Sequence, residues 1–480
     1  MNKRMVCRVL GWIYLIYAAL MLLPLLTGLI FHENVLNFIT AAFASAVLGL
    51  LMMIPKPAAK SLVARDGFVI VGLGWIGISL LGAVPFVVSG SIPNYIDALF
   101  ETASGLSTTG SSILQDFDGM PRCDMFWRMF THWIGGMGVL VFLMAVMPMS
   151  GEHSMHIMRA EVPGPTVGKL VPRARHTAQI LYLIYVGMTI LEMLCLWLAG
   201  MSFYDALLHA FATAGTGGFS TNAGSIAGFH NPAVETILTV FMLAFAVNFN
   251  LYYLVLIGSW RKAVSNQELH RYIAIILFSS VFIAFGIRGL DGYSVHGAIH
   301  TAFFNVASIL STTGFGTVDF TEWPEICKWV LIFLMFCGGC AGGTGGGIKV
   351  SRIMILFRSL RAELKKMVRP RTVVRVEMDG QRVESETVRA ASIFVSLYMI
   401  LLLLFSALIS LDGYDVATCF TAALSCLSNI GPGMTKMIGP AGSFAVFSSR
   451  TKLLLTMAML IGRLEIYPIL VLYSPKTWRK

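Results

Sequence analysis

The sequence predicts an all-α polytopic membrane protein, built from four pseudo-symmetric units that follow two further transmembrane helices. Three observations predict it. The chain is 56% hydrophobic and only 12% charged over 480 residues, where soluble domains carry about 25% charged residues. Its apolar segments are long enough to cross about 30 Å of hydrocarbon. A polar, glycine-containing segment also returns four times, each time between two such spans.

The first element is "VLGWIYLIYAALMLLPLLTGLIF", from Val9 to Phe31. It lacks a small-residue cleavage site and a second span (35–54) follows at once, so it reads as a retained helix and not as a signal peptide. These two spans occupy 1–60. Four units follow, at 61–150, 151–262, 263–375 and 376–480. Their outgoing spans are expected near 67–89, 178–200, 271–290 and 389–411, and their returning spans near 123–148, 232–258, 326–358 and 449–473. About a dozen apolar residues lie between the members of each pair, too few to cross, so they read as re-entrant helices. Ten crossings result, with both termini on one side.

The repeat is visible in register, which is the sign to seek before any other. "DALFETASGLSTTGSS" (97–112) lies above "DALLHAFATAGTGGFS" (205–220), "TAFFNVASILSTTGFG" (301–316) and the weaker "TCFTAALSCLSNIGPG" (418–433). Gly110, Gly218, Gly314 and Gly431 then coincide.

The net charge of +10 invites a nucleic-acid reading, but its placement argues for topology. Lys3, Arg4, Arg8, Lys56, Lys60, Arg65, Arg159, Lys169, Arg173, Arg175, Arg261, Lys262 and Arg271 fall on one side of alternating spans. The largest basic loop, 352–388, and the C-terminal Lys476, Arg479 and Lys480 fall there too. By the positive-inside rule that side is the cytoplasm, and both termini lie in it. Anionic lipid or a cytosolic partner could also use this charge. The eight cysteines are scattered through apolar segments. Cys337 and Cys340 have redox-motif spacing, but no strand–helix unit surrounds them.

A re-entrant helix followed by T-T-G or T-G-G in extended form presents carbonyl and hydroxyl oxygens in a row. Four copies about one axis make rings of oxygens that replace the hydration shell of a monovalent cation, as four such loops do in potassium channels. Glycine permits backbone conformations that a β-carbon hinders. The short helices direct partial negative charge from their C-terminal ends at the path, while Asp97 and Asp205 suit the opposite ends. Glu101 either braces the first loop or attracts cations.

On these residues the chain resembles the Trk/Ktr/HKT superfamily of potassium transporters, in its Trk branch, over essentially its whole length. The resemblance implies a four-loop selectivity filter made mainly by backbone carbonyls. Carried over, it comprises Thr108, Thr109 and Gly110; Thr216, Gly217 and Gly218; Thr312, Thr313 and Gly314; and Asn429, Ile430 and Gly431. Sodium-selective relatives commonly have serine at the first glycine, so Gly110 implies potassium, here the transported ion with no organic cofactor. The fourth filter departs from the pattern at Asn429 and Ile430. The resemblance also implies a homodimer in the cytoplasmic (inner) membrane and a cytosolic nucleotide-binding regulatory subunit (TrkA-like). The chain contains no nucleotide-binding domain of its own.

"CGGCAGGTGGGIKV" (337–350) places seven glycines where the third returning span should cross. Such a run breaks a helix, and a break at bilayer depth survives only in protein or beside a watery cavity. It resembles the family's intramembrane gating loop, 338–347, with Gly338, Gly339, Gly342, Gly343, Thr344, Gly345, Gly346 and Gly347. Tight helix packing is the other reading. A phosphate loop fails, because Ile348 separates Gly347 from Lys349 and Val350 replaces the hydroxyl residue. The other returning spans carry fewer glycines and need not break. Arg463 lies half way along the last span, where a charge needs a partner or water. It either holds the loop or forms a structural pair. Glu465, two residues on, is not its natural partner on a helix. Lys349 is a further candidate for contact with the loop. His132 and Glu192 read as packed and paired inside the bundle, not as catalytic residues.

Two other classes compete. A membrane-embedded transferase needs clustered acids or histidines at one membrane face, and the sequence offers no such group. A secondary transporter of another solute often uses inverted repeats. Here each repeat has an even number of crossings, so the copies are parallel.

Overall fold

The computed structural model describes residues 1–55, 62–117, 119–138, 174–290, 293–371 and 375–478. Sequence readings that fall on 56–61, 139–173 and 479–480 lie outside the described residues. The N-terminal pair comprises Lys3–Ile30 and Leu36–Met53. They cross closely because each offers a glycine: a β-carbon on Gly11 would sit 2.6 Å from the Gly49 carbonyl oxygen.

Four outgoing helices follow, Ala64–Ser89, Ala174–Leu198, Gln267–Ile287 and Ser385–Ser410. They turn aliphatic and aromatic side chains outward, among them Leu183, Leu198, Phe278 and Val281. That is the arrangement lipid requires. Inside the ring of outgoing helices stand four short ones, Tyr95–Leu106, Phe203–Ala214, Val295–Leu310 and Val416–Ser428. The first, of 12 residues, spans about 18 Å at 1.5 Å per residue and cannot cross. Each begins at a polar cap: Asn94, Ser202, Ser294 and Asp415 accept from backbone N–H groups of the first turn. These caps satisfy donors that have no intrahelical partner.

The returning segments correct one expectation. Only the third was expected to break, yet the second and fourth break as well. Pro232–Phe245 meets Phe249–Leu256 at 91°, and Ser449–Arg463 meets Tyr467–Tyr473 at 120°. In the third, Glu325–Cys337 and Val350–Val368 flank the glycine segment. The first, Arg122–Met137, ends at Gly138 with φ 78°. Freed peptide groups need partners at these breaks, and they find them in one another. The Ala246 carbonyl accepts from Cys340 N (2.9 Å), the Phe245 carbonyl from Thr344 N (3.1 Å), and the Gly342 carbonyl from Phe249 N (3.1 Å). The second break thus exists because the glycine loop completes it. Asn248, which caps the following helix through Asn250 N, and Pro468, at the start of Tyr467–Tyr473, are the sequence signs of these breaks.

The remaining strand pair is small. Glu377–Met378 and Gln381–Arg382 form an antiparallel hairpin in the basic loop. Asp379 at its turn accepts from Asn266 Nδ2 and Gln267 N, which fastens the hairpin to the start of the third outgoing helix.

Candidate cation site and the loop beneath it

Each short helix ends in the same turn. Thr108 N donates to Gly105 O and Thr109 N to Ser104 O. The same two bonds recur as Thr216–Thr213 and Gly217–Ala212, Thr312–Ile309 and Thr313–Ser308, and Asn429–Cys426 and Ile430–Ser425. This is the Schellman end, whose residue just past the cap is left-handed. Thr108, Thr216, Thr312 and Asn429 occupy it with φ between 54° and 61°. Two residues later comes a glycine with positive φ: Gly110 at 80°, Gly218 at 73°, Gly314 at 85° and Gly431 at 112°. The fourth copy therefore departs in side chains and not in backbone. Asparagine tolerates the left-handed region better than most residues. Its amide also donates to Thr109 Oγ1 (3.0 Å) and Met459 O (2.9 Å).

The four segments meet. A β-carbon on Gly110 would strike the Gly217 carbonyl oxygen, one on Gly218 that of Thr313, and one on Gly314 that of Ile430. From Gly431 the nearest atom would be the Thr109 carbonyl oxygen, at 2.9 Å. Each repeat abuts the next, and the fourth abuts the first, so the ring closes. A cavity of about 100 Å³ opens above it and touches all four glycines. The residues between the left-handed position and the glycine are Thr109, Gly217, Thr313 and Ile430, and it is their carbonyls that crowd the ring. Converging carbonyl oxygens suit a dehydrated monovalent cation.

Buried side chains brace this ring from behind. Glu101 accepts from Ser112 Oγ (2.8 Å), Ile113 N (2.9 Å) and Arg128 Nε (2.7 Å). Arg128 also donates to Ser220 O (3.1 Å), so the pair joins the first segment to the second. Of the two roles open to Glu101, bracing fits a carboxylate so fully occupied and so buried. Arg128 was missed in the sequence, because one arginine near the outer end of a span reads as an interface anchor. His132 is packed, its ring centroid 4.2 Å from that of Phe219. His132 and Glu192 are both buried, His132 beside the Gly105 backbone and Glu192 beside Thr213.

Directly below lies the glycine segment. Its ends zip together, Ile348 N to Phe336 O (3.1 Å), Lys349 N to Cys337 O (2.9 Å) and Val350 N to Gly339 O (3.1 Å). The closed loop then rises against the filter turns. Gly346 N donates to Thr312 Oγ1 (2.7 Å). A β-carbon on Gly345 would lie 2.8 Å from Ser311 O, and one on Gly346 would meet Ser428 O. Gly342 and Gly347 have positive φ. Gly338 does too, and Gly339 and Gly343 press on the Ala246 backbone of the second break. The tight-packing reading and the broken-helix reading therefore both hold for this segment.

Two cations converge here, Lys349 buried and Arg463 half-buried. Arg463 Nη1 donates to Thr344 O (2.7 Å), and Nη2 donates to Gly136 O (2.7 Å) and to Gly135 O. It joins the loop to the first returning helix. Lys349 Nζ donates to Gly345 O. Glu465 is not the partner of Arg463; its carboxylate takes Arg352 instead, at 3.0 and 2.6 Å. Among the described residues no cluster of histidines, cysteines or acids could hold a metal ion, and all eight cysteines are free thiols.

The comparisons with known proteins agree with this geometry. A family model described as "Cation transport protein" (TrkH) matches residues 32–480. The chain belongs to the TrkH family of cation transport proteins. It is 35% identical to the Trk system potassium uptake protein TrkH of Escherichia coli K12, over all of both chains. It is 34% identical to TrkG of the same strain, over 100% of this chain and 99% of that one. The crystal structure of the potassium transporter TrkH from Vibrio parahaemolyticus superposes with a TM-score of 0.89 at 33% identity, covering 100% of each chain. This TrkH-family chain is thus a multi-pass membrane transporter and not an enzyme.

Proposed function

We propose that this chain takes up potassium ions across the cytoplasmic membrane, with the four-segment ring as selectivity filter and the glycine loop as gate. The observation that carries the reading is the closed ring of carbonyls at Thr109, Gly217, Thr313 and Ile430, with a positive-φ glycine beside each. Oxygens held by a Schellman turn in every repeat cannot relax onto a smaller ion without unwinding a helix end. The relatives' names, Trk system potassium uptake proteins, favour potassium among the monovalent cations. Filter residues are Thr108, Thr109, Gly110, Thr216, Gly217, Gly218, Thr312, Thr313, Gly314, Asn429, Ile430 and Gly431. Gate residues are Gly338, Gly339, Gly342, Gly343, Thr344, Gly345, Gly346 and Gly347, with Lys349 and Arg463 as the cations that hold the loop up.

The chain works as a homodimer with both termini in the cytoplasm, where a nucleotide-binding subunit controls the gate. The basic helix Val350–Val368 continues directly from the loop and ends in exposed Lys365 and Lys366. A partner that pulls on this helix pulls on the gate. The test is flux from liposomes loaded with potassium or sodium. Equal rates for the two ions would overturn the filter assignment.

A further inference from the structure

We infer that Glu268 is the positioning residue that ties the gate loop to the helix leaving it and sets how often the path is closed. The inference rests on the reading of that loop as the gate. One carboxylate oxygen of Glu268 accepts from Ala341 N (2.8 Å) and from Ser351 N (3.0 Å). Ala341 lies within the glycine loop and Ser351 in the first turn of the helix that leaves it. A glycine-rich loop has few side chains to grip, so its peptide groups are its main handles. Arg463 and Lys349 hold its carbonyls. Glu268 takes the opposite kind of group, two N–H donors. A carboxylate is about twice as strong an acceptor as a neutral oxygen.

The post is firm. Glu268 lies in the first turn of the continuous outgoing helix Gln267–Ile287. The cap of that helix, Asn266, is itself held by Asp379 of the hairpin (3.1 Å). The side chain is 5% exposed. For the loop to swing away from the helix that follows it, Ala341 N or Ser351 N must leave this oxygen, so the bonds oppose opening without touching the ion. The hairpin contact also places Glu268 within reach of anything that moves the basic loop.

The experiment uses the full chain in liposomes and reads two quantities, potassium efflux and alkylation of Cys340 followed by mass spectrometry of its peptide. Cys340 is buried one residue before Ala341. Glu268→Ala removes both bonds and is expected to raise basal efflux about tenfold, to expose Cys340 and to leave the potassium-to-sodium ratio unchanged. Glu268→Gln keeps a weaker, neutral oxygen for both donors and is expected to bring both readings between those of Glu268→Ala and the parent. If the alanine protein does not assemble, Glu268→Asp carries the test, because a side chain one carbon shorter cannot hold both donors. A chain lacking Gly342 to Gly346 is the control. Raised efflux in that control beside unchanged efflux and labelling in Glu268→Ala would overturn the role of Glu268 and leave the gate standing. Unchanged efflux in both would overturn the gate and the inference with it.

Discussion

Gly110 shows how much one hydrogen atom decides. Its φ of 80° suits glycine, and a β-carbon there would drive into the Gly217 carbonyl. Gly110→Ser must therefore push a neighbouring oxygen off the ring. The potassium-to-sodium flux ratio is expected to fall by about tenfold, or ~1.4 kcal/mol, measured with imposed gradients in liposomes. Arg128 and Glu101 lie at the same scale. Both are buried, at 2% and 1% exposure, and each is the other's charge partner. Removing one leaves the other unpaired at a cost of about 3–5 kcal/mol. Arg128→Ala should lower the thermal midpoint in detergent far more than the double change Arg128→Met with Glu101→Gln. Equal losses would mean that the pair braces nothing. The residues proposed for filter and gate could be named from the sequence, because Gly110, Gly218, Gly314 and Gly431 stand in register and the seven glycines of 337–350 interrupt a span. Glu268 could not, because an acid in the first turn of a helix reads as an ordinary complement to the helix dipole.

Elements explain what single residues do not. Three returning segments break, and the breaks support one another: the loop of the third fills the bend of the second, while Arg463 at the bend of the fourth holds the loop. Glycine content marked only the third, because its peptide groups alone lack any helical alternative. The second bend depends on carbonyls that the loop supplies with donors, a contact between residues about a hundred positions apart. Shortening the loop by Gly342 to Gly346 should raise resting potassium flux and loosen the second bend. Arg463→Ala, which frees the Thr344 carbonyl, should raise it too. Resting flux at the parent rate in both variants would remove this assembly from gating.

The whole molecule turns apolar side chains such as Phe278 and Leu198 outward and keeps Thr108, Thr216, Thr312 and Asn429 fully buried. Leucines such as Leu208, Leu238 and Leu455 still fill an apolar core between the helices, while others face the hydrocarbon. The asymmetry of Lys and Arg predicts both ends in the cytoplasm. A C-terminal green fluorescent protein fusion should fluoresce and an alkaline phosphatase fusion at the same site should stay inactive; the reverse pair of results would turn the molecule over. What the sequence alone determined is the membrane class, the fourfold repeat, the filter register and the one glycine break, because each follows from local composition and spacing. The tertiary structure decided the closure of the ring, the bends of the second and fourth returning segments, the choice of Arg352 by Glu465, and the hold of Glu268 on the loop. Those depend on which distant peptide groups are left without a hydrogen bond once the helices are packed, and no window of sequence records that.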